Sequence, residues 1–176
     1  MMVKSADLAD LNRCLLIDPS FQTEYVWQMY IEGEERGTTI SFRTVKLPRP
    51  MKVNYPRPTD HLVENWQKGE CFLVAEVEGE IAGYLDMTIQ AWNQSGWINN
   101  LVIAPNHRRQ GVGTALLKGA FRWAQEHRLR TITSETQTKN YPAISFYQKH
   151  GFLFCGFSDH YYTTNDIALF FARRLR

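Results

Sequence analysis

Hydrophobic positions in the second half of the chain follow first the spacing of strands and then that of a helix. Residues 71–77, 81–89 and 97–103 are rich in apolar and β-branched side chains, and a tight turn at Gly79 joins the first two. Apolar residues then recur at helical intervals, at Leu116, Leu117, Ala120, Phe121 and Ala124. With a strand at residues 131–135, this pattern predicts a strand–helix–strand unit.

A second helix and two closing strands are predicted beyond that unit. Asn140 is a suitable N-cap for a helix over residues 140–150, and Gly151 fits the left-handed position that follows many helices. Residues 152–157 and 167–172 are apolar enough to complete the sheet. The second half of the chain is therefore predicted to be a sheet with crossover helices.

The first 45 residues show a different pattern. Leucines at helical spacing follow Ser5 and Asp7, two plausible caps, and predict a short helix that Pro19 ends. Residues 24–31 and 38–45 are β-branched and aromatic, which predicts a long hairpin. Hairpins before crossover helices are typical of an α+β fold, with a mixed, mostly antiparallel sheet flanked by helices.

A proline-rich segment separates the hairpin from the rest of the chain. Four of the seven prolines lie in residues 47–58, so we predict an extended surface loop that could also form a wall of an active site. Thr59 and Asp60 are suitable caps for a following helix that stops at Gly69.

Composition narrows the class of protein. A chain of 176 residues with 44% hydrophobic residues has the size of one domain with a true core. A formal net charge of +2 gives no reason to expect a nucleic acid or a membrane surface as partner. Neither a secretory signal nor a membrane-spanning stretch is evident, so a cytoplasmic location is expected. The three cysteines and five histidines lack metal-ligand spacing, so no metal is predicted.

The turn at residues 108–113 is the strongest candidate for chemistry. It follows a predicted strand and opens an amphipathic helix, so unpaired backbone N–H groups and the positive end of a helix dipole converge there and favour an anion. Gly111 and Gly113 allow close approach of a phosphate, and Arg108 and Arg109 could add charged contacts. A plain glycine-containing turn with solvated arginines is the alternative.

Two motifs resemble those of the GNAT acetyltransferase superfamily. Residues 98–113 contain the pattern Arg/Gln-x-x-Gly-x-Gly/Ala, and residues 140–152 follow Asn-x-x-Ala-x-x-Phe-Tyr-x-x-x-Gly-Phe. The resemblance implies a single acetyltransferase domain over all 176 residues, with acetyl-CoA bound by residues 70–157. Residues 1–69 would then be a variable part on the substrate side, and residues 158–176 would supply closing strands.

The resemblance also implies where acetyl-CoA lies. Strands 97–103 and 131–135 would be a splayed parallel pair with the cofactor wedged between them. The backbone of strand 97–103 would form hydrogen bonds with the pantetheine arm, and the amides of the turn would bind the pyrophosphate. The second motif would line the other wall of the cofactor site. The cofactor-binding residues so implied are Leu101, Val102, Ile103, Arg108, Arg109, Gln110, Gly111, Val112, Gly113, Thr114, Asn140, Ala143, Phe146, Tyr147 and Lys149.

Such a site must let a neutral amine attack a thioester and then expel a thiolate. A main-chain N–H near Val102 could stabilise the oxyanion. Tyr147 stands in the family's tyrosine position and would protonate the leaving sulfur, because a phenol of pKa ~10 is protonated at neutral pH. The alternative is that Tyr147 is a core aromatic packed with Phe146 and Phe152.

At the position of the general base, this chain departs from the family pattern. Many relatives carry a glutamate where this chain has Asn99, and Asn100 follows, so neither residue can accept a proton. We predict Glu135 as the catalytic base; Asp86, Glu76 or a water chain are alternatives. A substrate amine of lowered pKa would need no protein base.

Shorter similarities point to one branch of the superfamily. The run Ser134-Glu135-Thr136-Gln137 before Asn140, the ending at residues 167–173, and Trp92-Asn93 resemble the streptothricin acetyltransferases, which acetylate an amino group of a β-lysine-containing antibiotic. A cationic acceptor would suit carboxylates and aromatic faces. The predicted substrate pocket is formed by Glu24, Trp27, Tyr30, Trp92 and Glu135, although Trp27 and Tyr30 could equally be hairpin core residues.

The sequence thus predicts an acetyl-CoA-dependent N-acetyltransferase that acts on a primary amine of a small cationic molecule, antibiotic- or polyamine-like, by direct attack. A homodimer is compatible with the exposed hairpin. One alternative is a protein N-terminal or lysine acetyltransferase. The other is a non-catalytic acyl-CoA-binding sensor, motivated by Asn99 at the position of the missing glutamate.

Overall fold

The computed structural model describes residues 1–58 and 61–175, apart from the side chain of Glu34. Within these ranges the chain forms a seven-stranded sheet, a two-stranded sheet and four α-helices. The elements are β1 (Met2–Ser5), α1 (Leu8–Leu15), β2 (Phe21–Glu34), β3 (Gly37–Val53), α2 (Leu62–Gln67), β4 (Cys71–Val77), β5 (Glu80–Gln90), β6 (Ser95–Ile103), α3 (Val112–Glu126), β7 (Thr131–Gln137), α4 (Tyr141–Lys149), β8 (Leu153–Ser158) and β9 (Ala168–Arg174).

The large sheet is mixed and mostly antiparallel. Its strand order is β1-β4-β5-β6-β7-β9-β8, and β6 with β7 is the parallel pair among these neighbours. Parallel pairing runs from Ser95 opposite Thr131 to Ile98 opposite Ser134 and then stops. The rest of both strands is left unpaired on the facing edges. The predicted α+β fold with a splayed parallel pair is confirmed.

Helices cover both faces of the sheet. On one face the apolar side of α3 packs against the central strands, and residues such as Leu116, Leu117 and Ile132 are fully buried. On the other face α1 and α2 bury Leu11 and Leu62. This arrangement leaves the parallel pair at the centre of the molecule. None of the helices in the described ranges is both long and apolar enough to span a membrane.

Local signals at the helix ends agree with the sequence in most places. Asp7 caps α1 and forms a capping box with Asp10, whereas Ser5 lies in β1, a strand that the sequence pattern did not predict. Asn140 caps α4 by accepting a hydrogen bond from the Ala143 N–H, and Gly151 has the predicted left-handed φ of 76°. The helix predicted over residues 140–150 is therefore confirmed.

The proline-rich segment differs from its prediction. Strand β3 continues to Val53, so the predicted loop over residues 47–58 is wrong in its first half. Tyr25 pairs with Lys46 and Thr23 with Met51, so the β3 residues between those pairs, Pro48 and Pro50 among them, have no partner in β2. Proline is tolerated there because no ladder hydrogen bond is required. The predicted caps Thr59 and Asp60 lie outside the described residues.

An aromatic cluster joins the hairpin to the main sheet. The Trp27 ring lies 6.1 Å from that of Phe42 on β3, and 5.9 Å from those of Phe154 on β8 and Phe171 on β9. The backbone N–H of Trp27 also donates to the Thr138 carbonyl at 2.9 Å. The hairpin is thereby docked beside the open end of the parallel pair.

Candidate active site

A narrow cleft opens where β6 and β7 separate. Five parts of the chain form it: β6, β7, α4, the segment after β3, and the loop before β9. Its lining residues are Tyr55, Pro56, Arg57, Ile98, Asn99, Leu101, Ser134, Glu135, Thr136, Gln137, Asn140, Ala143, Tyr147 and Tyr162. Glu135, Asn140, Ala143 and Tyr147 were predicted from the sequence to belong to one site, and the fold brings them together.

The free edge of β6 offers backbone groups to this cleft. The Ala104 N–H donates to the Ala82 carbonyl at 2.9 Å, on the side of β5. Because N–H groups alternate between the two edges of a strand, the Val102 N–H also faces β5, whereas those of Leu101 and Ile103 face the edge that β7 leaves free. Of the N–H groups near Val102, those of Leu101 and Ile103 are therefore the ones that could reach a ligand at the free edge.

The turn before α3 has the features of an anion site. Arg109 and Gly111 adopt left-handed φ values of 63° and 87°, and no side chain caps the first turn of the helix. The first N–H groups of a helix, here from Val112 to Thr114, have no acceptor within it. Together with the positive end of the helix dipole they favour a phosphate.

The Arg108 side chain stabilises the structure of that turn. Its Nε donates to the Ile103 carbonyl at 3.0 Å, and its terminal NH2 donates to the Asp18 carbonyl at 3.1 Å. These bonds fasten the turn to the end of β6, so the arginine contacts predicted for a pyrophosphate fall to Arg109, which is exposed. Gln110 is also exposed, and its amide donates to the Asn106 carbonyl.

Helix α4 forms the opposite wall only in part. Asn140 and Ala143 line the cleft, whereas Phe146 packs against the start of α3, where a Cβ on Gly113 would lie 3.3 Å from its ring. Thr114 Oγ1 contacts His150 Nε2 at 3.0 Å and strengthens that junction. Lys149 is exposed and borders a separate groove between α3 and β8. The second motif thus both lines the cleft and supports the turn before α3.

Tyr147 lies at the inner end of the cleft. Burial raises the pKa of its phenol to about 12, although a hydrogen bond with Ser134 acts in the opposite direction. Its ring packs 5.2 Å from that of Phe152 and 5.6 Å from that of Phe146. The two roles weighed for this residue are therefore compatible, because the packed ring holds a protonated hydroxyl in the cleft.

Glu135 is held by two residues that the sequence motifs did not reveal. Its side chain is only 3% exposed, and Oε1 accepts from Arg57 at 2.6 Å (NH2) and 3.2 Å (Nε). The Tyr161 hydroxyl donates to Oε2 at 2.7 Å. Arg57 comes from the proline-rich segment and Tyr161 from the loop before β9, so no local spacing could have indicated the cluster.

The other candidate bases do not reach the cleft. Asp86 is 1% exposed and accepts amide hydrogen bonds from Asn65, Asn99 and Asn100 at 2.8, 3.0 and 2.7 Å. Burial raises the pKa of Asp86 against the effect of these donors. Glu76 instead lies 3.9 Å from Lys4, next to β1. Glu135 is therefore the predicted base that borders the cleft.

The aromatic residues predicted for a substrate pocket are placed elsewhere. Trp27 is used to dock the hairpin, the Arg43 guanidinium lies over the Tyr30 ring at 5.0 Å, and Trp92 is 85% exposed beyond the end of β5. Glu24 is exposed on β2. None of these four side chains lines the cleft. The apolar side of the hairpin packs on β8 and β9, whereas Trp92 lies in the turn between β5 and β6.

The part of the chain that is described contains no candidate metal site and no disulfide. It contains no cluster of three or more His, Cys, Asp or Glu side chains suited to a metal ion. Cys14 and Cys71 are buried free thiols, and Cys155 is an exposed one.

A splayed parallel pair next to an uncapped, glycine-containing helix start is the arrangement that the resemblance to the acetyltransferases implied for binding of acetyl-CoA. The model of the Acetyltransferase (GNAT) family matches residues 41–152. The chain belongs to this family and is an acetyl-CoA-dependent N-acetyltransferase.

Relatives and solved structures agree with this assignment. A streptothricin acetyltransferase of Streptomyces lavendulae is 29% identical over 90% of this chain and 85% of its own length. One of Escherichia coli is 32% identical over 74% and 70%, respectively. An N-alpha-acetyltransferase of Sulfolobus acidocaldarius is 32% identical over 69% and 79%.

Among solved structures, a nourseothricin acetyltransferase superposes with a TM-score of 0.84 at 24% identity, covering 99% of this chain and 98% of the other. A streptothricin acetyltransferase-like protein of Bacillus anthracis, solved with acetyl coenzyme A, gives 0.78 at 23% identity, covering 99% and 97%. At these identities the superpositions establish the fold.

Proposed function

We propose that this enzyme acetylates a primary amine of a small cationic molecule of the streptothricin type. Several relatives are named for that antibiotic and one solved structure for nourseothricin. The observation that carries the proposal is a nearly buried carboxylate, Glu135, in the same narrow cleft as the phenol of Tyr147. Such a carboxylate attracts an ammonium group to the end of the cleft where a thioester would lie.

The reaction divides into three tasks for the residues of the cleft. Glu135, directly or through water, accepts the proton of the substrate ammonium, so that the neutral amine attacks the thioester carbonyl. The N–H groups on the free edge of β6 stabilise the resulting oxyanion. The Tyr147 hydroxyl, which burial keeps protonated by raising its pKa to about 12, then donates its proton to the departing sulfur as the C–S bond breaks, and the remaining N–H proton of the attacking nitrogen restores the phenol.

Acetyl-CoA fits the remaining surfaces. Its pantetheine arm would bond to Leu101 and Ile103, and its pyrophosphate to the N–H groups at the start of α3 and to Arg109. A cytoplasmic location, a single domain over the whole chain and a homodimer remain predictions.

Release of free coenzyme A thiol with a panel of amines tests the proposal. Streptothricin, spermidine and peptides with a free N-terminus or a lysine would each be offered with acetyl-CoA. We expect turnover with streptothricin at the highest kcat/KM. Turnover confined to peptides would favour the activity that names the Sulfolobus relative instead. Tight binding of acetyl-CoA without turnover on any amine would indicate a sensor.

A further inference from the structure

Gln137, the last residue of β7, has an unpaired acceptor inside the molecule. The residue is 2% exposed, and its buried Oε1 atom has no hydrogen-bond partner among residues 1–58 and 61–175. Gln137 also lines the cleft between β6 and β7. Because buried polar groups are almost always paired, an unpaired one at a ligand cleft is a candidate for a contact that forms with the ligand.

The orientation of this amide is fixed from behind. Gln137 Nε2 donates to Asp166 Oδ2 at 2.7 Å, while Lys139 Nζ lies 2.8 Å from Asp166 Oδ1. Burial raises the pKa of Asp166, but hydrogen bonds from Lys139, Thr164 and Gln137 outweigh burial and lower it overall. An ionised carboxylate accepts hydrogen bonds and donates none. The amide nitrogen must therefore face Asp166, and Oε1 must face away from it.

The side chains next to Gln137 limit which groups could form a hydrogen bond with Oε1. Glu135 lies two residues earlier on the same strand and so on the same face, and it already takes the donors of Arg57 and Tyr161. A partner for Oε1 must bring its own N–H or O–H group. Since Oε1 is buried, the ligand reaches it only as the cleft widens to admit the ligand.

We propose that Gln137 Oε1 accepts a hydrogen bond from an N–H group of the amine substrate, next to the ammonium that Glu135 attracts. Asp166 is the positioning residue that keeps the amide in this orientation. This proposal rests on the proposed function, because it assumes an amine acceptor in the cleft. It adds a specificity requirement, namely a second N–H donor in the substrate near the amine that is acetylated.

Substitution of Gln137→Met tests the acceptor directly, because the side chain keeps its length and loses Oε1. We expect KM for streptothricin to rise roughly tenfold, with kcat nearly unchanged and the Kd of acetyl-CoA unchanged. Gln67→Met makes the same chemical change on the exposed face of α2 and should alter none of these values. A rise in the Kd of acetyl-CoA would assign Oε1 to the pantetheine amides and overturn the proposal.

Substitution of Asp166→Asn tests the orientation. Lys139 retains the remaining oxygen of residue 166, so the new NH2 group faces Gln137, whose amide must turn and present Nε2 to the cleft. We expect KM for streptothricin to rise at least as much as in Gln137→Met. The double variant should show no further rise, because both changes remove the same contact. Additive effects would contradict a shared contact.

Two further outcomes keep this proposal distinct from the proposed function. If the wild type acetylates another amine of the panel and not streptothricin, the substrate proposal fails, and the Gln137→Met comparison is made with that amine. If it acetylates none, calorimetric titration of streptothricin into the acetyl-CoA complex replaces KM, and equal affinity of wild type and Gln137→Met overturns the role of Gln137. Lower thermal stability with unchanged KM would mean that Oε1 binds only water.

Discussion

The proposed cofactor side of the cleft is built from backbone, whereas the proposed acceptor side is built from side chains. Leu101 and Ile103 offer N–H groups on an unpaired strand edge, and the uncapped start of α3 adds further donors. The acceptor side offers oxygens of Glu135 and Gln137, each held by partners from other segments. Acetyl-CoA carries phosphates and carbonyls, and a cationic amine carries N–H donors, so each side presents the complement of the ligand proposed for it.

This difference in construction has a consequence for specificity. Backbone donors require only a strand edge and glycines that permit close approach, so many sequences can provide the cofactor side. The acceptor side depends on individual side chains, and replacing one of them changes the chemistry at once. Changes on the acceptor side should therefore affect particular amines, and changes on the cofactor side should affect all amines equally.

The largest expected effect lies where the two sides meet. Tyr147→Phe removes the proposed proton donor to the sulfur, and we expect kcat to fall by about 10²–10⁴ with little change in the Kd of acetyl-CoA. Steady-state kinetics and calorimetric titration measure the two quantities. Tyr141→Phe, at the first position of the same helix, serves as the control. A matching loss of cofactor affinity would mean that Tyr147 contributes through packing alone.

Glu135→Gln should have the next largest effect. The variant loses the negative charge and leaves Arg57 without its carboxylate, and we expect kcat/KM for cationic amines to fall about 30-fold or more. The Kd of acetyl-CoA should not change. Glu126→Gln at the exposed end of α3 is the matched control.

Because the unpaired Arg57 could itself reduce activity, a double variant with Arg57→Met separates the two causes. If that double variant regains the wild-type kcat/KM, the charge of Glu135 is not needed for recognition of the amine, and the acceptor side would have to be assigned to other residues.

Gly111→Val should break the cofactor side with a smaller effect. Gly111 has a φ of 87°, which costs a residue with a Cβ roughly 1–2 kcal/mol, and no atom lies within 4 Å of the added Cβ. We expect the Kd of acetyl-CoA to rise about tenfold. The resulting loss of activity should be the same factor for every amine. Gly79→Val imposes the same strain at a φ of 83° in the β4–β5 turn and should lower stability alone. An effect of Gly111→Val that differed between amines would contradict the phosphate role.

The smallest expected effect concerns stability at alkaline pH. The folded-state pKa of Tyr147 lies at about 12, above the ~10 of an unfolded chain, because burial disfavours the phenolate. The stabilisation is present below pH ~10 and is lost as the pH rises towards about 12. Chemical denaturation from pH 9 to 11.5 should show a steeper decline for the wild type than for Tyr147→Phe. Parallel declines would mean that Tyr147 is not buried as a phenol.

Much of the central fold could be predicted because its signals are local. The apolar and β-branched residues at 81–89 and the helical spacing after Gly113 each report on neighbours a few positions apart. Asn140 and Gly151 likewise act within one helix turn, and both have the predicted roles. Strand β1 was missed because four residues carry too little pattern, and its pairing with β4 depends on a distant segment.

The acceptor side could not be predicted to the same extent. Carboxylates and aromatic rings were identified as suitable chemistry for a cation, but Trp27 and Tyr30 are used by the hairpin. Arg57 and Tyr161 lie 78 and 26 residues from Glu135 in the chain. No spacing relates such positions, because their proximity results from how the hairpin segment and the loop before β9 pack around the sheet.

The sequence by itself determined the family and its cofactor through two short motifs, and it predicted the turn proposed to bind that cofactor, because glycines and helix caps act over a few residues and leave a local pattern. Only the tertiary structure decided which carboxylate borders the cleft, which arginine fixes the turn and which amide oxygen is left unpaired. These properties depend on burial and on partners distant in the chain. Glu135 and Asp86 are both acidic residues on strands, and only the fold leaves one at the cleft and buries the other among three asparagines.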